Sequence, residues 1–211
     1  MNWNNVPPLW QACFELAWEA CREGSNPIGA LVADPTGAVL TTGKSAVRAA
    51  LSNVVVSNCE IAHAEVNALL QLDNRVHPKD LARHYTLYVS LEPCPVCMSA
   101  FYMSDVKQLK YAAKDRYGGS TNLIGTTPYL SRKPVKITGP VSHLEDVSIF
   151  LNVYHDTGLE DQPDIVHREF EKDYPKAVQL ARKLGPGDKL NLSGEAQFAP
   201  VYDAVSRLLS T

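Results

Sequence analysis

Residues 86–103 read TLYVSLEPCPVCMSAFYM, a segment that predicts a strand followed at once by a helix. Tyr85–Leu91 is rich in apolar, β-branched and aromatic residues, which favours a strand. Pro93 ends that strand, because proline cannot donate to a central ladder. The pattern over Cys94–Met103 then fits a helix. This strand–helix unit is the point from which the rest of the fold is inferred.

Further helices and strands flank this unit on both sides. Upstream, the patterns predict a helix over Leu9–Arg22, a hairpin formed by Ile28–Ala33 and Ala38–Lys44, and a helix over His63–Leu72. Downstream, they predict strands over Gln108–Ala113 and Val135–Thr138 and a helix over Glu145–Tyr154. This order indicates a three-layer α/β/α sandwich, in which one central sheet carries helices on both faces.

The character of the chain changes after Gly158. We expect residues 1–158 to form the main domain and residues 159–211 to form a helical C-terminal extension. Its predicted helices cover Pro175–Leu184, ended by Gly185-Pro186-Gly187, and Pro200–Leu209. The extension is too short for an independent domain, so we expect it to pack on the main domain or on a partner subunit.

Composition narrows the class of protein. The 211 residues carry a formal net charge of -3, which gives no overall footprint for nucleic acid. No apolar run approaches the ~18 residues of a membrane span, and the N-terminus lacks the features of a secretory signal, so a cytoplasmic location is expected. The segment from Asp105 to Lys136, however, contains seven basic residues and only two acidic ones. That segment is either a solvated surface or a contact for phosphate.

Two short motifs carry the chemistry: His63-Ala64-Glu65 and Pro93-Cys94-Pro95-Val96-Cys97. Cys94 and Cys97 are three positions apart, so on a helix both thiols face the same way, and in a first turn the helix dipole favours thiolates. With an imidazole they make three ligands for Zn²⁺, leaving a fourth position for a water whose pKa the metal lowers to about 7. Glu65 is placed to act as general acid and base.

His-x-Glu followed by Pro-Cys-x-x-Cys is the signature of zinc nucleobase deaminases. From about Leu9 to Tyr154 the sequence resembles the cytidine deaminase-like superfamily, and within it the branch of tRNA adenosine, guanine and cytosine deaminases. The resemblance implies one zinc ion per chain on His63, Cys94 and Cys97, with Glu65 moving the proton. It also implies a central five-stranded mixed sheet and a homodimer or larger homo-oligomer.

The resemblance also suggests substrate contacts. Pro27 lies in the segment that enters the first strand, near the base, and Asp115 lies in the loop after a later strand. Backbone amides near Ala64 and Cys94 are expected to orient the base.

One position departs from the family. Relatives commonly carry a substrate-recognising asparagine just after the second strand, where this chain has Lys44-Ser45. Asn53 or Asn58, in the long connection from residue 45 to residue 62, is the candidate replacement.

Several alternatives remain at this point. Cys94 and Cys97 alone could be a redox dithiol or core cysteines, and Cys59 could complete a closed structural zinc cage. A protein of a different functional class is also an alternative: a zinc-stabilised scaffold or regulatory subunit that catalyses no reaction. The hypothesis that we favour is hydrolytic deamination of a guanine-, cytosine- or adenine-type base or nucleoside. A tRNA-specific adenosine deaminase is the second choice, because the acidic balance argues against RNA.

Overall fold

A computed structural model describes residues 2–48, 53–159, 164–185 and 192–210. Its centre is a five-stranded sheet with the strand order β2-β1-β3-β4-β5. The strands are β1 (Gly29–Ala33), β2 (Val39–Lys44), β3 (Thr86–Leu91), β4 (Gln108–Ala113) and β5 (Lys136–Thr138). β1 runs antiparallel to β2 and β3, whereas β3, β4 and β5 run parallel. The expected five-stranded mixed sheet is confirmed.

Eight α-helices lie in the described residues. They are α1 (Pro8–Arg22), α2 (Ala64–Leu69), α3 (Lys79–Ala82), α4 (Pro95–Met103), α5 (Glu145–Asp156), α6 (Asp164–Asp173), α7 (Pro175–Leu184) and α8 (Phe198–Leu209). All the predicted elements are present, with ends shifted by at most three residues. α3 and α6 were not predicted. The sequence pattern did not reveal α6 because seven of its ten residues are charged or His, and these conceal a short apolar stripe.

Helices cover both faces of the sheet, as expected for an α/β/α sandwich. α2 and α4 pack on one face, around Val32, Leu87 and Phe101. α1 and α5 pack on the other, where the core includes Phe14 and Phe150. Two separate apolar cores therefore hold the sheet between them, and burial of such side chains is the main stabilising contribution.

The C-terminal helices pack against the α1 and α5 face. α7 contacts α5, and α8 contacts both α5 and α1. Phe198 of α8 is fully buried and stacks on Phe14 with ring centroids 5.6 Å apart, while Trp3 meets the same ring edge-on at 5.2 Å. The Trp18 indole donates to the carbonyl of Glu195 at 2.9 Å. The boundary at Gly158 stays a prediction, and Pro186 and Gly187, expected to end α7, lie outside the described residues.

Among the residues that the structure describes, none of the helices has both the length and the apolar character that crossing a bilayer requires.

Candidate active site

His63 is placed by the start of α2. It is the N-cap of that helix, with φ -79° and ψ 155°, so the helix begins at the next residue rather than at His63 itself. α2 lies very close to β2, because a Cβ on Gly43 would come within 2.1 Å of the Ala64 carbonyl oxygen. Only glycine permits that approach. The close packing of α2 on β2 in turn fixes the depth at which the His63 imidazole lies.

The two thiols are placed by the start of α4. Cys94 is the N-cap of this helix, with extended backbone, and Cys97 follows in its first turn. The sequence placed Cys94 inside the helix; the structure puts it at the cap, because proline at the next position occupies the first helical place. The N-terminal ends of α2 and α4 therefore deliver all three candidate ligands to one point.

The three ligand atoms are close enough to share a metal ion. All lie within 4.8 Å of one another, and Nδ1 of His63 is 3.3 Å from each sulfur. The contact with Cys94 raises the pKa of the His63 imidazole, and the backbone of Glu60 acts in the same direction. In the described part of the chain, this cluster consists of these three residues, and Cys59 does not belong to it.

The electrostatics of the cluster favour a metal thiolate. Hydrogen bonds from Cys97 and His63 lower the pKa of the Cys94 thiol to about 4, despite partial burial. The same contact with Cys94 raises the pKa of Cys97. Two sulfurs and one imidazole nitrogen are a donor set typical of Zn²⁺ with one open position. The residues present thus fit a zinc ion.

Glu65 lies beside the ligands without joining them. It is the second residue of α2 and only 4% exposed. Burial raises the pKa of this carboxyl group. A buried carboxyl group with a raised pKa, next to a metal site, is suited to accept and return a proton near neutral pH.

A cavity of about 410 Å³ opens onto the metal site and is lined by His63 and Cys94. Of the predicted substrate contacts, Ala64 and Asp115 also line it. Pro27 does not, although its neighbours Asn26 and Ile28 do.

Asn58 is not among the lining residues either. It adopts a left-handed backbone (φ 53°), and its N–H donates to Ala46 at 2.8 Å. Asparagine tolerates that conformation better than most residues, so its identity has a backbone explanation.

Asp115 shapes its own loop as well as lining the cavity. Its carboxylate accepts from the N–H groups of Tyr117 and Gly118 at 2.9 and 2.8 Å, and burial raises its pKa. Glu92, which the sequence analysis did not single out, is buried below the loop and accepts from the Asp115 N–H at 3.2 Å. The position of this acid directly before the Pro-Cys motif was the sequence signal that could have identified it.

The position where relatives carry asparagine has a structural explanation. Lys44 is buried and points to α1, where its ammonium group lies 3.2 Å from Glu19 and 2.7 Å from Glu23. It is therefore absent from the cavity lining, to which Ser45 contributes instead. Asn67, also missed by the sequence analysis, holds the long connection by two hydrogen bonds with the backbone of Val56, of 2.8 and 3.0 Å.

The cavity has a wall that the motifs did not reveal. Asn152 and Asp156 on α5 and Val166 and Phe170 on α6 line it. Ser148 fixes α5 against β3 by donating to the Ser90 carbonyl at 2.6 Å. Asn152 and Asp156 follow Ser148 at helical spacing and so reach the cavity on the same face.

Known proteins with similar sequences include two deaminases. A segment of 69 residues is 38% identical to a tRNA-specific adenosine deaminase of Rickettsia typhi, covering 33% of this chain and 46% of that protein. A guanine deaminase of Bacillus subtilis is 36% identical over 104 residues, covering 45% of this chain and 58% of that protein. The chain thus matches about half the length of these curated relatives.

The fold has a solved counterpart. The structure of a guanine deaminase from Nitrosomonas europaea superimposes with a TM-score of 0.56 at 22% identity, covering 72% of this chain and 85% of that one. At this level of identity the likeness concerns the fold.

The family is shown by its sequence model. The cytidine and deoxycytidylate deaminase zinc-binding region matches residues 6–113, just over half of the chain and inclusive of both motifs. The chain therefore belongs to the cytidine and deoxycytidylate deaminase zinc-binding family.

Proposed function

We propose that this chain is a zinc-dependent hydrolytic deaminase that converts an amino-substituted nucleobase or nucleoside into the oxo-base and ammonia. One observation carries the proposal: a buried carboxyl group, Glu65, adjoins a three-ligand cluster, two of whose members, His63 and Cys94, line a ligand-sized cavity. A zinc ion with an open position supplies a water that ionises near neutral pH. A closed structural site would have no use for a buried acid beside it.

The residues of this chain have distinct roles in that reaction. His63, Cys94 and Cys97 hold the metal. A carboxylate oxygen of Glu65 takes one proton of the attacking water and gives it to the ring nitrogen. It then takes the second proton, from the hydroxyl group now on the ring carbon, and gives it to the departing amine, which leaves as ammonia. Ala64 and Asp115 line the space in which the base would be oriented.

A small, uncharged substrate is favoured by the lining of the cavity. Besides the zinc ligands, its charged residues are Glu60, Asp115 and Asp156 against Arg48. An excess of acids disfavours a phosphate group in the same space. The volume of about 410 Å³ suits a base or nucleoside.

A tRNA substrate is the second candidate, supported by the name of the Rickettsia relative. The basic segment before Lys136 gives it limited support, because Lys107 and Lys133 both lie within ion-pair distance of Asp105, at 3.4 and 2.9 Å. Part of that positive charge is thus already paired within the chain.

A homodimer in the cytoplasm completes the proposal. Leu70 and Met103 are 57% and 64% exposed and line a cavity of about 480 Å³ between α2 and α4. Large exposed apolar side chains grouped in this way are typical of association surfaces.

The test is ammonia release by the purified protein, with its zinc content determined, across bases, nucleosides, nucleotides and a tRNA anticodon stem-loop. Turnover of one base or nucleoside is the expected result. Turnover of the stem-loop alone would establish the tRNA alternative. Bound zinc without turnover of any compound would favour the non-catalytic scaffold.

A further inference from the structure

Two polar residues of α5 follow Ser148 on one face of a helix whose other buried residues are apolar. Asn152 and Asp156 are 5% and 7% exposed, one helical turn apart, among buried neighbours such as Phe150, Leu151 and Val153. Burying an amide and a carboxylate costs free energy unless each is hydrogen-bonded. Both line the cavity to which His63 and Cys94 contribute, which is where a substrate would lie.

Asp156 is held in place from two sides. Nδ1 of His155 lies 3.2 Å from Oδ1, and Nε2 of His167, on α6, lies 3.2 Å from Oδ2. Burial opposes ionisation of this carboxyl group, but the contacts with the two histidines outweigh it and hold its pKa below the usual value. A carboxylate offers about four acceptor positions, so these two contacts leave capacity for a ligand.

Asn152 adds a second polar group to the same face. Its Nδ2 donates to the Ser148 carbonyl at 2.9 Å, which fixes the orientation of the amide. On α6, Phe170 supplies an apolar surface beside these groups in the same cavity. Fixed acceptors next to an aromatic ring form a binding surface for a flat heterocycle that carries N–H or O–H groups.

We propose that Asn152 and Asp156 are specificity-determining residues that accept hydrogen bonds from N–H or O–H groups of the substrate. These groups belong either to the edge of the base or to the ribose of a nucleoside. His155 and His167 act as positioning residues for Asp156, and α6 brings Phe170 to the ligand. The inference rests on the proposed function, and it assigns substrate selection to residues that follow the 6–113 segment matched by the family model.

Asp156→Asn is the direct test, because it removes the charge and keeps the shape. We expect KM to rise about 10- to 100-fold, the effect of losing a charged hydrogen bond, while kcat changes only a few-fold. If the donor is a ribose hydroxyl, KM rises for the nucleoside and not for its free base. If the donor is an N–H of the base, KM rises for both.

Asp146→Asn is the matched control, since Asp146 begins the same helix and lines a different cavity, with Tyr202 and Ser206. Its KM should equal that of the wild type. Asn152→Leu, which removes the amide at similar volume, is the second variant and should also raise KM. Melting temperatures of all variants report whether they fold.

The outcome separates this inference from the proposed function. Folded Asp156→Asn and Asn152→Leu proteins with the KM of Asp146→Asn would overturn it and leave deamination standing. If the wild type turns over no base or nucleoside, equilibrium dialysis with the same compounds replaces KM. Binding weakened by Asp156→Asn would then support the role of this residue in substrate recognition but not the proposed reaction. If the wild type bound none of the compounds, both the recognition role and the proposed function would be refuted.

Discussion

Nδ1 of His63 lies 3.3 Å from the sulfur of Cys97, although His63 precedes α2 and Cys97 belongs to α4. The contact brings together two residues proposed to hold zinc. It exists because both helices begin at the same point of the sheet. The chemistry of the site thus depends on how deeply two helix N-termini are set, which leads to separate tests of the acid, the metal ligands and the packing.

Replacing the proton carrier should separate turnover from metal binding. Glu65→Gln keeps the size of the buried side chain and removes its ability to ionise. We expect a loss of roughly 10²- to 10⁴-fold in kcat with zinc content and fold unchanged. Glu169→Gln, on the surface of α6, is the control. Parental turnover by the Glu65→Gln protein would show that another group moves the proton.

Zinc content should distinguish the two cysteine types. Cys97→Ala removes one of three ligands, so the purified protein should retain well under one zinc ion per chain. Cys59→Ser should retain the parental content, because Cys59 lies outside the ligand cluster. Atomic emission analysis of dialysed protein makes the measurement. Metal loss in the Cys59→Ser protein would instead support the closed four-ligand cage.

Much of the fold and the metal site could be predicted from local sequence. The strand over Thr86–Leu91 and the helix after it follow from side-chain pattern and proline placement. The ligand motifs are short and local, so the sequence could indicate the three residues that the structure brings together.

The cavity wall could not be predicted in the same way. Phe170 reaches the cavity because α6, whose charged residues conceal its apolar stripe, folds back beside α5. Such an approach depends on long-range packing that no local pattern encodes. Asn58 failed to reach the cavity lining for a related reason, since its left-handed backbone serves the turn.

Gly43 should be needed for α2 to pack as closely on β2 as it does. A Cβ at this position would lie 2.1 Å from the Ala64 carbonyl oxygen and 2.5 Å from the Ala68 nitrogen, both backbone atoms. Gly43→Ala must therefore push α2 outward, at a cost of about 1–3 kcal/mol or more. Gly158→Ala, whose nearest contact is 3.3 Å, should cost less. Thermal unfolding and zinc content measure both effects, and equal melting temperatures for the two variants would contradict the packing argument.

The carboxylate of Asp105 should stabilise the protein at neutral pH and lose that effect in acid. Lys133, at 2.9 Å, is the main cause of the lowered pKa of Asp105, and Lys107 adds to it. A lowered pKa in the folded state means that the contribution is complete above the unfolded value of about 3.9 and disappears as pH falls through the folded one. Asp105→Asn removes the charge and suits the left-handed backbone (φ 66°).

At pH 7 we expect Asp105→Asn to lower the free energy of unfolding by about 1 kcal/mol, as for a partly exposed ion-pair network. Urea unfolding at pH 7, 5 and 3 should show the same difference from the wild type at the first two values and a smaller one at pH 3. Asp80→Asn, which affects a single exposed pair with Arg83, should have little effect at any of the three. A difference for Asp105→Asn that stayed constant down to pH 3 would mean that its cause is not the carboxylate charge.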